Sequence, residues 1–413
     1  MKGSNFTHMG SQISTVLTVM LGLMLAGCPT PPSDPPLRCG TGMVPDDIAD
    51  TCVCIENAHP MDDGEWCDCD TLYHWNADST ECIMDTTSHE FTWFIDTIGL
   101  GALHLDDISA VAENDVWIAG YFTSDEIPGY DETRANAAHW DGEKWNIHRI
   151  TEPRWGFAGL TSVCAIASDH VLFGANALIL WDGETSTGFG SEEGFPLGFG
   201  HIKDIWAASA DEVYFIGDEG KIGVFNGVNF ELMHVPTEID LKRIDGYKDP
   251  SSGLTKLWVT AFQYPSRGAM LHYDGTTWVR LWNETTPFYP NPAYVQPGAV
   301  FVPDEAFLVV DVGGTQGVGN TLVAHHSIND FNRFDITYIE DRGFIRDISG
   351  NAINDYFMVG DLSTLVHYNG STYRTYYDIP LNDEVDIYAA SQIGNVVFAV
   401  SVYSAHVYRG IRN

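Results

Sequence analysis

From residue 91 onward, short runs of apolar and polar residues alternate along the chain, and the runs recur. Asp115-Val116-Trp117-Ile118-Ala119-Gly120 is followed by His139-Trp140-Asp141-Gly142-Glu143-Lys144-Trp145. Glu212-Val213-Tyr214-Phe215-Ile216-Gly217 is followed by Phe225-Asn226-Gly227, Leu257-Trp258-Val259-Thr260 by His272-Tyr273-Asp274-Gly275-Thr276-Thr277-Trp278, and Asp355-Tyr356-Phe357-Met358-Val359-Gly360 by His367-Tyr368-Asn369-Gly370-Ser371-Thr372-Tyr373. β-Branched and aromatic residues fill these runs, as suits a pleated, half-buried surface. Each Asp-Gly or Asn-Gly between runs predicts a two-residue hairpin turn.

The turn residues Asp141, Asp182, Asn226, Asp274 and Asn369 stand 41, 44, 48 and 95 positions apart, so the last gap holds two periods. Ala306-Phe307-Leu308-Val309-Val310 and His325-His326-Ser327 supply second and third strands for the hidden unit. A last unit uses Val385-Asp386-Ile387-Tyr388, Val396-Val397-Phe398-Ala399-Val400 and His406-Val407-Tyr408-Arg409-Gly410 but lacks a fourth strand. Phe91-Thr92-Trp93-Phe94-Ile95 reads as an orphan fourth strand able to complete it. Units of about 45 residues with four strands each are the signature of a β-propeller. Seven such units, closed by joining the two ends, remove the exposed strand edges. The expectation is an all-β, seven-bladed propeller over 91–413.

The repeats resemble those of exported bacterial propellers whose units read Val-Trp-x-x-Gly and then His-Tyr-Asp-Gly-x-x-Trp. That resemblance implies a fold and no particular activity. Trp181-Asp182 is similar to WD40 repeats without their Gly-His dipeptide. The Asp-Gly-x-x-Trp turns are similar to the Asp-box of sialidases, but the full Ser-x-Asp-x-Gly-x-Thr-Trp form and the Phe-Arg-Ile-Pro segment are missing.

Upstream of the repeats the pattern changes three times. Residues 1–27 carry Lys2 and no acid, then an apolar run from Val16 to Leu25, which is the layout of an export signal. Leu25-Ala26-Gly27-Cys28 resembles the lipobox of bacterial lipoproteins. The resemblance implies cleavage before Cys28, a palmitate-type acyl anchor on it, and an outer-membrane location facing the periplasm or the exterior. Residues 28–38 are proline-rich and predict an extended linker of roughly 30 Å. Residues 39–90 hold Cys39, Cys52, Cys54, Cys67, Cys69 and Cys82 at separations of 13, 2, 13, 2 and 13. A segment with so few aliphatics needs covalent staples. Six cysteines allow fifteen pairings. The even spacing favours Cys39 with Cys52, Cys54 with Cys67 and Cys69 with Cys82, and the Cys-x-Cys pairs leave a metal site as the alternative. The repeated hairpins faintly resemble EGF-like modules.

Charge narrows the partners. The 413 residues include 57 acids against 20 Lys and Arg, a formal charge of −37. Such a surface repels phosphate backbones and anionic headgroups, which excludes nucleic acid and leaves the lipid anchor as the one membrane contact. No nucleophile elbow, zincin helix or phosphate loop stands in the context that its chemistry needs, so no cofactor, metal site or catalytic residue is expected. His139, His272 and His367 occupy one repeated position and are spread around the ring as structural residues. Cys164 lies in an apolar run, as a buried thiol does.

The long connections between second and third strands and between blades fall on one face of a propeller, and they carry aromatics. Tyr121, Tyr130, Trp155, Phe157, Phe199, Tyr264, Phe288, Tyr289 and Tyr294 are the expected ligand-binding residues. The favoured function is a binding or scaffold lipoprotein for a protein, peptide or glycan. The alternative is a polysaccharide-acting enzyme with paired carboxylates in the channel mouth. Convergence of two or more carboxylates there is the feature that distinguishes the enzyme.

Overall fold

In a computed structural model, residues 43–46, 51–61, 66–70, 72–125, 133–152, 156–196, 198–263, 267–283, 294–297, 310–313, 321–326, 334–339, 345–377, 379 and 385–413 are described. The chain divides into two compact units between Ile83 and Met84. The export signal, Cys28, the proline-rich linker and Cys39 lie outside the described residues.

The first unit is a series of small hairpins. Met43–Asp46 pairs with Thr51–Cys54, Ala58–Pro60 with Cys67–Cys69, and Tyr73–Trp75 with Cys82–Met84. Disulfides join Cys54 to Cys67 and Cys69 to Cys82, two of the three local bridges that the spacing favours. Cys52 is disulfide-bonded as well. Among the described residues of this unit only Cys67 and Cys82 are buried, so covalent closure stands in for a hydrophobic core.

The second unit is an all-β propeller. Six four-stranded antiparallel sheets with described side chains start at inner strands Gly101–Ala112, Ser162–Ala167, Asp204–Ser209, Leu241–Lys248, Ile345–Ala352 and Ile387–Ile393. Between the fourth and fifth of these, Tyr294–Pro297, Val310–Gly313, Thr321–His326 and Phe334–Ile339 pair into a further four-stranded ladder described by its backbone alone. Of the second strand expected at 306–310 only Val310 is among the described residues, where it begins the strand Val310–Gly313, and the third strand runs Thr321–His326. The core lies between neighbouring sheets: Ile118 and Leu105 pack with Phe398 and Val407, Trp117 with Phe173, and Phe215 with Leu172 and Phe199.

Phe91–Thr97 completes the last sheet. It pairs with His406–Arg412 over seven residues, from Thr97 opposite His406 to Phe91 opposite Arg412. Asp96 accepts from Arg409 at 3.0 Å, and Phe91 packs edge-on against Phe357 at 5.1 Å. Upstream, Thr87 exchanges hydrogen bonds with Asn369, and the Tyr376 hydroxyl donates to the His89 carbonyl at 2.7 Å. The strand is thereby held in place before it enters the sheet.

The turns depart from the two-residue expectation. Trp140 pairs with Trp145, so the loop spans Asp141 to Lys144, and the Asp141 carboxylate accepts from the amides of Glu143 and Lys144 at 2.9 Å each. Asp182, Asn226, Asp274 and Asn369 repeat this arrangement. The amides of Lys144 and Glu143 and the Asn146 side chain bring the Asp141 carboxyl down to about 2. Glycine is required at the second position because Gly142 has φ +92°.

The recurrent histidines are cross-strand partners. His139 stacks on Trp117 at 4.3 Å, His272 lies on Trp258 at 4.5 Å and His367 stacks on Phe357 at 4.6 Å, each directly opposite its partner in register. Nε2 of His139 contacts Asp115 at 2.8 Å and Nε2 of His367 contacts Asp355 at 2.9 Å, so each ring ties its own second strand to its third.

Candidate functional site at the channel mouth

The inner strands line a central channel, and a repeated tripeptide sets what faces it. Asp107-Ile108-Ser109, Asp204-Ile205-Trp206 and Asp347-Ile348-Ser349 hold the same register against their second strands, with Ser162 and Arg243 at the aspartate position in two other inner strands. Each aspartate reaches the next sheet: Asp107 accepts from the Val163 amide at 2.8 Å, Asp204 from Ile244 at 3.0 Å and Asp347 from Ala390 at 2.9 Å. Two residues on, Ser109 accepts from Ala165, Ser349 from Gln392 and Ser391 from Ala110. The channel wall is therefore latched from blade to blade through side-chain oxygens, which satisfy amides that an edge strand would leave unpaired.

Arg243 draws the three carboxylates together. Its guanidinium lies 3.8 Å from Asp107, 4.0 Å from Asp204 and 3.3 Å from Asp347. Burial pushes all three acids up, with Asp204 at about 6, and Asp107 is raised further by the Asp204 charge. Burial alone would lower Arg243, but the carboxylates around it reverse that and hold it protonated. Carboxylates thus do converge in the channel, yet each is committed to a backbone amide and to one shared cation. None of the three lines the open cavity above them. A general acid and base pair has to reach substrate, so this convergence does not supply the enzymatic arrangement.

The cavity lies at the end of the channel where the inner strands start, the face of the inter-blade connections. Its volume is about 430 Å³, and it is walled by Asp106, Thr161, Lys203, Lys242, Arg243, Phe262, Arg346 and Tyr388. Lys203, Lys242 and Arg346 directly precede Asp204, Arg243 and Asp347, the residues at the aspartate position of their strands, and Asp106 and Thr161 hold the same step in two more blades. The cations have outer partners: Lys203 to Asp218 at 3.4 Å, Lys242 to Asp240 at 3.8 Å, and Arg346 to Asp361 through two hydrogen bonds of 2.5 and 2.9 Å. The lysine pairs are loose and about one-third exposed, a class worth ~0–1 kcal/mol. The Arg346 fork is fixed.

The expected aromatic residues fare unevenly. Tyr121 and Phe157 lie half-buried against each other, ring centroids 5.5 Å apart, with Arg149 over Phe157 at 3.9 Å. Phe199 is not a surface residue: at 1% exposure it packs on Phe195 and Phe215 in the core, because the connection from Ser191 to Gly200 folds back over its sheet. Tyr130, Trp155, Tyr264, Phe288 and Tyr289 lie outside the described residues, and Tyr294 begins a strand described by its backbone alone. The cations of the mouth were missed, although their shared step before Asp204, Arg243 and Asp347 is visible once the inner strands are aligned. Burial pushes the free thiol of Cys164 up to about 12, which leaves it unreactive as an inner-strand residue. Among the described residues no group of three or more His, Cys, Asp or Glu side chains is placed to hold a metal ion.

A wall of four-stranded sheets latched around a channel defines an all-β propeller with a site at one mouth. No family model matches the chain, and no curated protein matches it in sequence. Solved structures share the fold. YCF48 bound to D1 peptide superposes with TM-score 0.57 at 14% identity, covering 80% of this chain and 100% of that one. A catalytically inactive virginiamycin B lyase from Staphylococcus aureus with quinupristin gives 0.56 at 13%, covering 78% and 100%. The WD40 propeller domain of Doa1 gives 0.52 at 12%, covering 78% and 98%.

Proposed function

We propose that this chain is an exported, lipid-anchored binding module that offers the channel mouth of a seven-bladed propeller to a peptide or protein partner. The observation that carries the reading is the 430 Å³ cavity walled by residues at the inner-strand position of six sheets together with Phe262, a volume in the range of ligand pockets, ~300–1,000 Å³. Its walls are rigid because the latch residues beneath them fix strand to strand, and a fixed wall loses little entropy on binding. YCF48, a structure of similar fold, is seen with a peptide, which favours a peptide or protein over a glycan. The ladder over residues 294–339 favours seven blades over six. Lipid anchoring rests on the lipobox-like Leu25-Ala26-Gly27-Cys28, and replacing Cys28 with Ser should abolish incorporation of a labelled fatty acid and release the chain from membranes.

Docking is tested by selecting displayed peptides on the full chain and mapping them with a photoreactive benzoylphenylalanine. Placed at Phe262, in the mouth, the crosslinker should capture the selected peptides. Placed at Val228, in a third-to-fourth-strand turn on the opposite face, it should not. Capture at position 228 alone, or a selection that enriches nothing, overturns the reading.

A further inference from the structure

We infer that the channel mouth receives a carboxylate of its peptide partner between Lys203, Lys242 and Arg346; this rests on the docking reading above and names the chemistry of its ligand. Basic residues are about a quarter of the charged residues in this chain, 20 against 57. In the mouth the ratio inverts, with four cations to one acid, Asp106. Three of the four recur at one repeated step of different inner strands, so the ring turns them toward one shared cavity at the channel end.

The compensating acids stand elsewhere. Asp218, Asp240 and Asp361 touch the cations from outside the cavity lining. Asp107, Asp204 and Asp347 lie behind Arg243 with their oxygens taken by backbone amides, and burial moves them toward the uncharged acid, which weakens the negative field under the site. The two lysines sit beyond the ~2.7–2.9 Å of a charge-assisted hydrogen bond to their present partners, so each ammonium can turn to a ligand without breaking a tight contact. Arg346, held in its fork, gives a fixed donor edge, and Phe262 and Tyr388 supply ring surface for the chain that carries the carboxylate.

Charge also limits ligand size. A chain of formal charge −37 repels a long polyanion before it reaches the mouth, whereas one or two carboxylates feel chiefly the cations within a Debye length, ~10 Å at 0.1 M salt. A short acidic peptide segment satisfies both conditions.

The probes are C-terminally amidated pentaglutamate and pentaglutamine carrying the same uncharged dye, titrated by anisotropy against the full chain at low salt. Pentaglutamate should bind saturably and at least ~10-fold more tightly than pentaglutamine, because only the first presents charge to the lysines. Lys203→Ala with Lys242→Ala should weaken it by a similar factor with an unchanged melting temperature, and Lys203→Arg with Lys242→Arg should restore it. Equal affinity for the two peptides, or a double alanine variant that binds like the wild type, overturns the inference. Sulfate binding as tightly as pentaglutamate would reassign the site to free oxyanions and likewise overturn it. If selected neutral peptides still crosslink at position 262 while pentaglutamate does not bind, the carboxylate reading falls and docking stands; if neither occurs, both fall.

Discussion

The propeller repeats a carboxylate away from bulk water at two places in its blades, and members of the two sets behave in opposite ways. On the channel side are Asp107, Asp204 and Asp347; at the start of second strands are the half-buried Glu212 and the buried Asp355. Burial is nearly the same, with Asp204 7% and Asp355 4% exposed. Even so, Asp204 is pushed up to about 6, while Asp355 falls far below the ordinary carboxylate range. Partner number explains the difference. Three channel acids share the single guanidinium of Arg243, so desolvation prevails. Asp355 is also desolvated but holds His367, Asn351 and Arg412 for itself, and these donors outweigh the loss of water. Glu212 is likewise lowered against its burial, by Lys248 at 2.6 Å and by Thr255 of the next blade. Depth alone therefore does not set the charge state of a repeated acid; the number of cations per acid does.

The strongest way to break this comparison is to remove the shared cation. Arg243→Met should cost about 3–5 kcal/mol in urea unfolding at neutral pH, the usual result of leaving buried charge uncompensated, and the loss should shrink on acidification as the acids protonate. A loss below ~1 kcal/mol would show that the channel acids need no counterion. Next, Asp355→Asn should cost about 2 kcal/mol, since an amide keeps part of the hydrogen bonding to His367 but leaves Arg412 without its charge partner. Gly142→Ala should cost about 1–2 kcal/mol, from a positive φ and a new Cβ that would stand 2.9 Å from Cβ of Asn114.

The smallest effect sharpens the comparison through pH. Asp204 has a folded pKa raised above its unfolded value, so the folded state binds the extra proton and this group's contribution is lost as pH rises from about 4 to about 6. Asp204→Asn removes that dependence. The stability of wild type relative to the variant should therefore be greater at pH 4.5 than at pH 7.5 when both are melted in the same buffers. A constant difference across that range would count against a raised Asp204.

Much of the fold was legible because its signals are local. Asp-Gly and Asn-Gly fix each turn within four residues, the alternation marks each strand, and Phe91–Ile95 stands out as a strand without a local partner. The site was less legible because its members are distant: Lys203, Lys242 and Arg346 meet only through ring geometry, and single lysines in an acidic chain look like ordinary solvated charge. Aromatic content misled at Phe199, since a ring on a connecting segment can turn inward as readily as outward when Phe195 and Phe215 offer it a surface. The carboxylates of the channel misled differently. Their convergence is real, but whether an acid is free for chemistry depends on backbone amides that no side-chain pattern reveals.

The closing strand Phe91–Thr97 has a consequence for biogenesis. Synthesis runs from the amino end, so this segment emerges before any blade exists, and its partner Val407 comes more than three hundred residues later. In that interval Phe91, Trp93 and Phe94 travel on an unmatched edge, which is the species most open to capture by a chaperone or by another copy. Emergence of the His406–Arg412 strand, more than the completion of any earlier sheet, is then the event that commits the molecule to its native form.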